Sequence, residues 1–382
     1  MNFNITEEQL LIRKTVRDFA ENVIKPTAQQ LDENEEFSVE NCRLIGELGL
    51  FGMCLPMEYG GQGLDTLSYI IAVEELARVD GSHAALLAAH NSLGVDPIYN
   101  FGTKDQIQKY VPLLCTGEKL WSFGLTEPEA GSDSRGTKTT GRFEEEKWKI
   151  NGSKIFITNG SSEITLGSTV QAVTHVDETG KKEFTVFLVE NENKGFKQKT
   201  MHGKMMWRSS NTSELYFEEC EVDQSAILGK QGQGSKIMLQ TLDNGRLSIA
   251  AMGLGLAQGA FEMALKYANE RKQFGQVISK FQIIAFKLAD MALKIELARN
   301  LLYKACWLKD NKKQFALEAA MSKLYCSEIA KEIADEAVQI HGGYGLMKDY
   351  PIERFYRDQR LLQIGEGTSE IQRLVISRYI GC

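Results

Sequence analysis

The chain has 382 residues, 43% of them hydrophobic, and its 44 basic and 51 acidic side chains leave a net charge of -7. That length exceeds one simple core and implies two or three layers or domains with room for a sizeable buried cavity. An acidic balance with no long block of Lys and Arg excludes a phosphate-backbone binder, so no nucleic-acid partner is expected.

Seven cysteines, Cys42, Cys54, Cys115, Cys220, Cys306, Cys326 and Cys382, are scattered and never in CxxC spacing. Neither a disulfide framework nor a zinc site is expected, and no metal site. The opening MNFNITEEQ has no apolar h-region or Arg-rich presequence, and no run of 18 apolar residues occurs. A cytoplasmic protein without stable membrane insertion is expected.

In chain order, Thr6 to Gln9 reads as a capping box ahead of Ile12, Val16, Phe19 and Val23, one helical face ending at Pro26. Helix is predicted again over 39–50, 66–79, 84–93 and 104–114, so residues 1–120 form a helical domain. Trp148 to Ile150, Asn151-Gly152 and Lys154 to Thr158 then read as strand, tight turn and strand, because Asn-Gly suits a two-residue hairpin. With β-branched or aromatic runs at 168–176, 183–189 and 214–222, residues 121–232 are expected to form a small β domain. Helices resume over 233–382, where Ile284, Leu288, Met291, Ile295, Ala298 and Leu302 mark the seam of a long bundle helix. Gly253, Gly255 and Gly259 imitate a dinucleotide fingerprint but lie within predicted helix with no preceding strand, so helix packing is expected there instead.

The segments able to carry chemistry are glycine-rich loops. Phe123 to Asp133, FGLTEPEAGSD, packs hydroxyls, acids and glycines at the helix-to-β junction, where backbone donors could cradle a ring edge or a phosphate. Strand alternation would put Phe156 and Thr158 on one side. Arg271 and Lys272 suit a pyrophosphate, as does Arg246, in a segment Asp243 to Arg246 read as a helix start. His341-Gly342-Gly343-Tyr344-Gly345 permits close backbone approach, and without an HxxxH or HExxH pattern His341 reads as a loop residue. Finally IGEGTSEIQRLVI, Ile364 to Ile376, sets Glu366 between two glycines just before a helix start, a position for a catalytic base. No GxSxG elbow or Walker A loop appears, so acyl and phosphoryl transfer find no support.

PMEYGGQG at 56–63, FGLTEPEAGSD, KIFITNG at 154–160, ERKQFG at 270–275, QIHGGYG at 339–345 and IGEGTSEIQRLVI together resemble the acyl-CoA dehydrogenase family over essentially the whole chain. The resemblance implies an α+β, mostly α fold: an N-terminal helical domain, a middle β domain and a C-terminal four-helix bundle. It also implies a homotetramer with one FAD per subunit. The family's flavin contacts fall on Phe123, Leu125, Thr126, Gly131, Ser132, Phe156 and Thr158. Those for the rest of FAD fall on Arg271, Gln273, Phe274, Gln282, Gln339, Gly342, Gly343, Thr368 and Glu370, some from a neighbouring subunit. Many relatives have Trp in place of Phe156 and Gln in place of Glu370. The acyl-CoA contacts correspond to Ser132, Asp243, Arg246 and Gly367. Relatives that carry the base elsewhere have a glutamate at the position of Gly245, which leaves Glu366 as the catalytic residue here.

By this resemblance the chain is expected to convert a short- to medium-chain acyl-CoA, butyryl-CoA favoured, into trans-2-enoyl-CoA. Electrons would pass to electron-transfer flavoprotein. The alternatives are an acyl-CoA oxidase using oxygen and a non-catalytic scaffold that binds flavin or CoA.

Overall fold

A computed structural model describes residues 5–382. Seven α-helices come first: α1 (Glu7–Phe19), α2 (Lys25–Asn34), α3 (Val39–Glu47), α4 (Thr66–Ala77), α5 (Gly81–Ala89), α6 (Asp96–Phe101) and α7 (Lys104–Cys115). The capping box forms as expected: Thr6 Oγ1 accepts from the Gln9 N–H at 3.2 Å, and Gln9 Oε1 accepts from the Thr6 N–H at 3.0 Å. Pro26 does not end the first helical stretch. A π-helical turn, Ala20–Ile24, carries the chain into α2, where Pro26 falls in the first turn, the part of a helix that tolerates it.

Seven strands follow: β1 (Leu120–Gly124), β2 (Thr140–Glu144), β3 (Lys147–Thr158), β4 (Thr165–Val176), β5 (Lys182–Glu190), β6 (Phe196–Thr200) and β7 (Thr212–Val222). They form one mixed sheet in the order β1-β4-β2-β3-β7-β6, with β5 also paired to β4. β1 runs parallel to β4, while β2–β3, β3–β7, β4–β5 and β6–β7 are antiparallel.

The expected Asn151-Gly152 hairpin is corrected: β3 runs straight through both residues, and the β2–β3 turn is Glu145-Glu146. Both glutamates adopt left-handed φ, 52° and 64°, the conformation a two-residue turn needs. Gly152 instead sits at a shift in the β3–β7 register, where a Cβ would meet Thr139 Oγ1 at 2.5 Å.

The last third holds α8 (Gly234–Glu270), a short hairpin β8 (Lys272–Gln273) and β9 (Gln276–Val277), α9 (Gln282–Asp310), α10 (Ala316–His341), α11 (Ile352–Asp358) and α12 (Ser369–Tyr379). α10 packs on α8, α9 and α12, the four helices of the C-terminal bundle, and α4 also lies on α8. The segment Asp243 to Arg246 is not a helix start but lies in the third and fourth turns of the 37-residue α8. The expected α9 seam is present, with Leu288, Met291, Ile295, Ala298 and Leu302 all buried.

The glycines of α8 serve helix packing, as expected. A Cβ at Gly255 would lie 2.3 Å from the Glu74 carbonyl oxygen, and one at Gly259 would lie 2.2 Å from that of Arg78. α8 is long and apolar enough to cross a membrane by length and composition, yet its most apolar stretch is 78% buried against its neighbours.

Candidate active site

The site forms where α8, α10, α12 and the loop after β1 converge. Glu366 and Gly367 both take left-handed backbone conformations, φ 51° and 89°. For Gly367 this carries no penalty, whereas for a glutamate it is an uncommon conformation that surrounding contacts must enforce. Thr368 follows as N-cap of α12, its Oγ1 accepting from the Ile371 N–H at 3.3 Å. The loop is tied from behind. Gln372 Nε2 donates to the carbonyl oxygens of Glu366 and Gly367 at 3.3 and 3.0 Å, and Lys323 Nζ on α10 donates to that of Gly367 at 2.7 Å.

Held this way, Glu366 turns its carboxyl toward α8. Its Oε2 is buried with no hydrogen-bond partner. A Cβ on Gly245 would lie only 1.9 Å from that oxygen and 3.2 Å from Leu93 Cδ2, so the carboxyl occupies the space a side chain at 245 would need. Burial pushes the Glu366 pKa up to about 7, against the opposing pull of the Lys323 and Arg246 charges. Arg246 is itself buried, pairs with Asp243 one turn back, and keeps an unpartnered Nε. It faces the base from the interior of the fold rather than presenting an open phosphate site.

The flavin-loop residues adjoin this pocket through one apolar cluster, which includes Phe123 and has Leu125, Leu93 and Leu242 packed against it. The Thr126 carbonyl accepts from the Ile155 N–H at 3.0 Å, which lays the loop along β3. Beneath it Lys154, 1% exposed, donates to Glu127 Oε1 at 2.7 Å and to the Leu125 carbonyl at 3.3 Å. Gly131 and Ser132 are exposed at the loop tip. Simple alternation does not carry from Phe156 to Thr158: Phe156 takes φ 61°, the β3–β7 register shifts there, and its ring is 64% exposed.

The other candidate residues gather at a second place. Arg271, Gln273, Gly342 and Gly343, with Tyr267, His341 and Tyr344, line an open cleft of about 540 Å³. Gln339 lies one turn back on α10, Gln282 is exposed at the start of α9, and Phe274, in the β8–β9 turn, is 94% exposed. Thr368 and Glu370 sit with Glu366 at the head of α12 rather than in this cleft. His341 Nδ1 bonds the Ala337 carbonyl at 2.7 Å, and no cluster able to hold a metal occurs among the described residues.

Sequence reasoning missed Lys323, Gln372 and the Glu127–Lys154 pair. The pair lies inside two of the quoted motifs, so its positions carried a signal, but nothing in the sequence showed that the two side chains meet. Lys323 is one lysine in an Ala-rich helix and gave no signal.

Comparison with known proteins decides the family. Family models for the acyl-CoA dehydrogenase N-terminal, middle and C-terminal domains match residues 6–118, 122–220 and 232–381. This chain belongs to the acyl-CoA dehydrogenase family. A short-chain specific acyl-CoA dehydrogenase of Clostridium acetobutylicum is 47% identical over 99% of both chains. The structure of butyryl-CoA dehydrogenase from Megasphaera elsdenii superposes with a TM-score of 0.96 at 41% identity, covering all of both chains. A chain in a structure concerning the electron transferring flavoprotein of Acidaminococcus fermentans gives 0.95 at 45% identity, again covering both chains fully.

The protein is therefore an FAD-dependent oxidoreductase that dehydrogenates acyl-CoA. The residues present fit that cofactor. Arg271 makes no salt bridge among the described residues, and a Cβ on Gly131, Gly342 or Gly343 would meet nothing within 4 Å. Two glycine-permitted approaches and exposed Phe156 and Phe274 rings are what a long, flat, phosphate-bearing group requires.

Proposed function

We propose that this dehydrogenase acts on short straight-chain acyl-CoA, butyryl-CoA above all, yielding the trans-2-enoyl-CoA, and passes electrons to an electron-transfer flavoprotein. The observation that carries the reading is Glu366: a carboxyl with one buried, unpartnered oxygen, held by an enforced left-handed backbone beside Gly245 and Arg246. Such an oxygen makes no hydrogen bond that would stabilise the fold and is free to take a proton from a ligand.

In this mechanism Glu366 removes the α-proton of the bound thioester. A thioester α-proton is poorly acidic, so the carbonyl oxygen needs a preorganised donor as charge builds on it. The Glu366 N–H has no acceptor among the described residues and supplies one. Leaving out such a donor costs about 100- to 1,000-fold in rate. Phe123, Leu125, Thr126, Phe156 and Thr158 hold the flavin ring, and Arg271, Gln273, Gly342 and Gly343 take the nucleotide half. When bound, FAD supplies the two-electron acceptor for the hydride lost from the β-carbon.

The short-chain assignment draws support from the Clostridium and Megasphaera relatives. The Acidaminococcus structure supports the electron acceptor. A homotetramer is part of the same reading. On α9, Ile283, Phe286, Leu293 and Leu297 are each at least 53% exposed on the side away from the buried seam, a face suited to a second copy.

The test is an anaerobic titration of the FAD-loaded protein with acyl-CoAs from four to sixteen carbons, followed by flavin absorbance. Bleaching that is tightest with butyryl-CoA supports the reading. Bleaching confined to long chains overturns the chain length alone, and a band that no acyl-CoA bleaches overturns the reaction.

A further inference from the structure

We propose that Lys323 is the positioning residue of Glu366, clamping the loop that carries it from behind while placing a positive charge beside its carboxyl. The proposal rests on the reading of Glu366 as the base and assigns how that base is held and kept ionised.

Lys323 is fully buried on α10. Its Nζ is within hydrogen-bond reach of no carboxylate and instead donates to the Gly367 carbonyl at 2.7 Å. A buried ammonium with only a neutral acceptor is a costly arrangement that stability alone does not explain. Burial pulls its pKa down to about 8, and the Glu366 charge is the largest opposing influence. Gln372, also fully buried, shares the task by donating to the carbonyls of residues 366 and 367. With both carbonyls drawn toward α10 and α12, the backbone at Glu366 has no freedom to relax from φ 51°, and its carboxyl stays against Gly245.

The charges around Glu366 are few. α8 contributes Arg246, with Asp243 paired to it; α10 contributes Lys323 and, farther off, Glu328; α12 contributes Glu370; and Tyr69 approaches from α4. Arg246 is already committed to Asp243, which leaves Lys323 as the cation free of a carboxylate partner in this group.

The test compares FAD-loaded wild type with Lys323→Met and Lys323→Gln, the second keeping a donor for the Gly367 carbonyl without the charge. Infrared difference titration follows the Glu366 carboxyl, its band assigned by its loss in Glu366→Gln, and kcat and KM are measured in parallel. Both variants should titrate about one unit above wild type. In Lys323→Met, kcat near neutral pH should fall roughly tenfold while KM stays within a few-fold, and Lys323→Gln should recover most of the rate once the pH is high enough to ionise Glu366. A merely structural lysine would not move the carboxyl titration. An unshifted midpoint in Lys323→Gln overturns the proposal, even if Lys323→Met fails to fold. Wild-type turnover in Glu366→Gln would overturn the base itself, a separate result, because the infrared midpoint reports on Lys323 whether or not turnover depends on Glu366.

Discussion

A carboxylate works as a base on a weak carbon acid only when water is kept from it and its pKa approaches the working pH. Glu366 meets both conditions, since burial raises it to about 7. Activity should therefore fall as pH drops through about 7, checked by the acid limb of kcat/KM. Glu366→Gln should lower turnover by about 100- to 10,000-fold with flavin retained. Stability runs the opposite way. The raised pKa means the folded chain holds a proton that the unfolded chain releases, so this group favours folding most at low pH and its contribution is lost as pH climbs from about 4.5 toward 7. Melting temperatures of Glu366→Gln and wild type should accordingly diverge between pH 5 and 8, with the variant gaining. Gly245→Ala separates activity from stability at a neighbouring position. Alanine favours the helix by about 1 kcal/mol, but its methyl would occupy the place of Glu366 Oε2. Turnover should drop at least tenfold with little loss of melting temperature.

Among elements, α8 organises the molecule: it carries Arg246 and Gly245 to the site and packs against α4 and α10 through small residues. Gly259→Ala sets a methyl against the Arg78 carbonyl and should destabilise by about 1–3 kcal/mol, read by chemical denaturation. This use of glycine was legible, because Gly253, Gly255 and Gly259 lie within predicted helix with no strand before them, which rules out a dinucleotide loop and leaves close helix packing. The α9 seam was legible for the same periodic reason. The β2–β3 hairpin was not, because Asn-Gly is the usual residue pair for such a turn and Glu-Glu is not. Two charged residues took the left-handed turn because strand pairing on either side, Glu144 with Lys147 and Phe143 with Trp148, fixed the register around them. Likewise, glycines flanking Glu366 advertised the loop and Gln372 lay within the same motif, whereas Lys323, which helps enforce the loop's conformation, comes from α10 and became visible only once the helices were packed.

At the scale of the whole molecule, the three parts of the chain meet at a buried charged junction. Asp80 and His83 of the helical region pair at 2.7 Å, Arg354 reaches Asp80 at 3.3 Å, and Asp358 Oδ1 accepts from the Trp207 N–H at 2.8 Å. Burial, with the Asp80 charge second, pushes Asp358 up to about 7. By the same sign rule, this junction weakens as pH rises from the ordinary carboxyl range through 7. Asp358→Asn should flatten the decline in melting temperature between pH 6 and 8; an unchanged pH profile would show that the junction does not titrate in this range.

The central claim, that Glu366 takes the α-proton, is tested most directly by hydrogen exchange without redox turnover. The FAD-loaded protein is incubated in deuterium oxide with a 3-thiaacyl-CoA, whose sulfur replaces the β-carbon so that no hydride can leave, and deuterium at the α-carbon is followed by mass spectrometry. The account predicts steady exchange with wild type and none above background with Glu366→Gln. Exchange at the wild-type rate in the variant would contradict it.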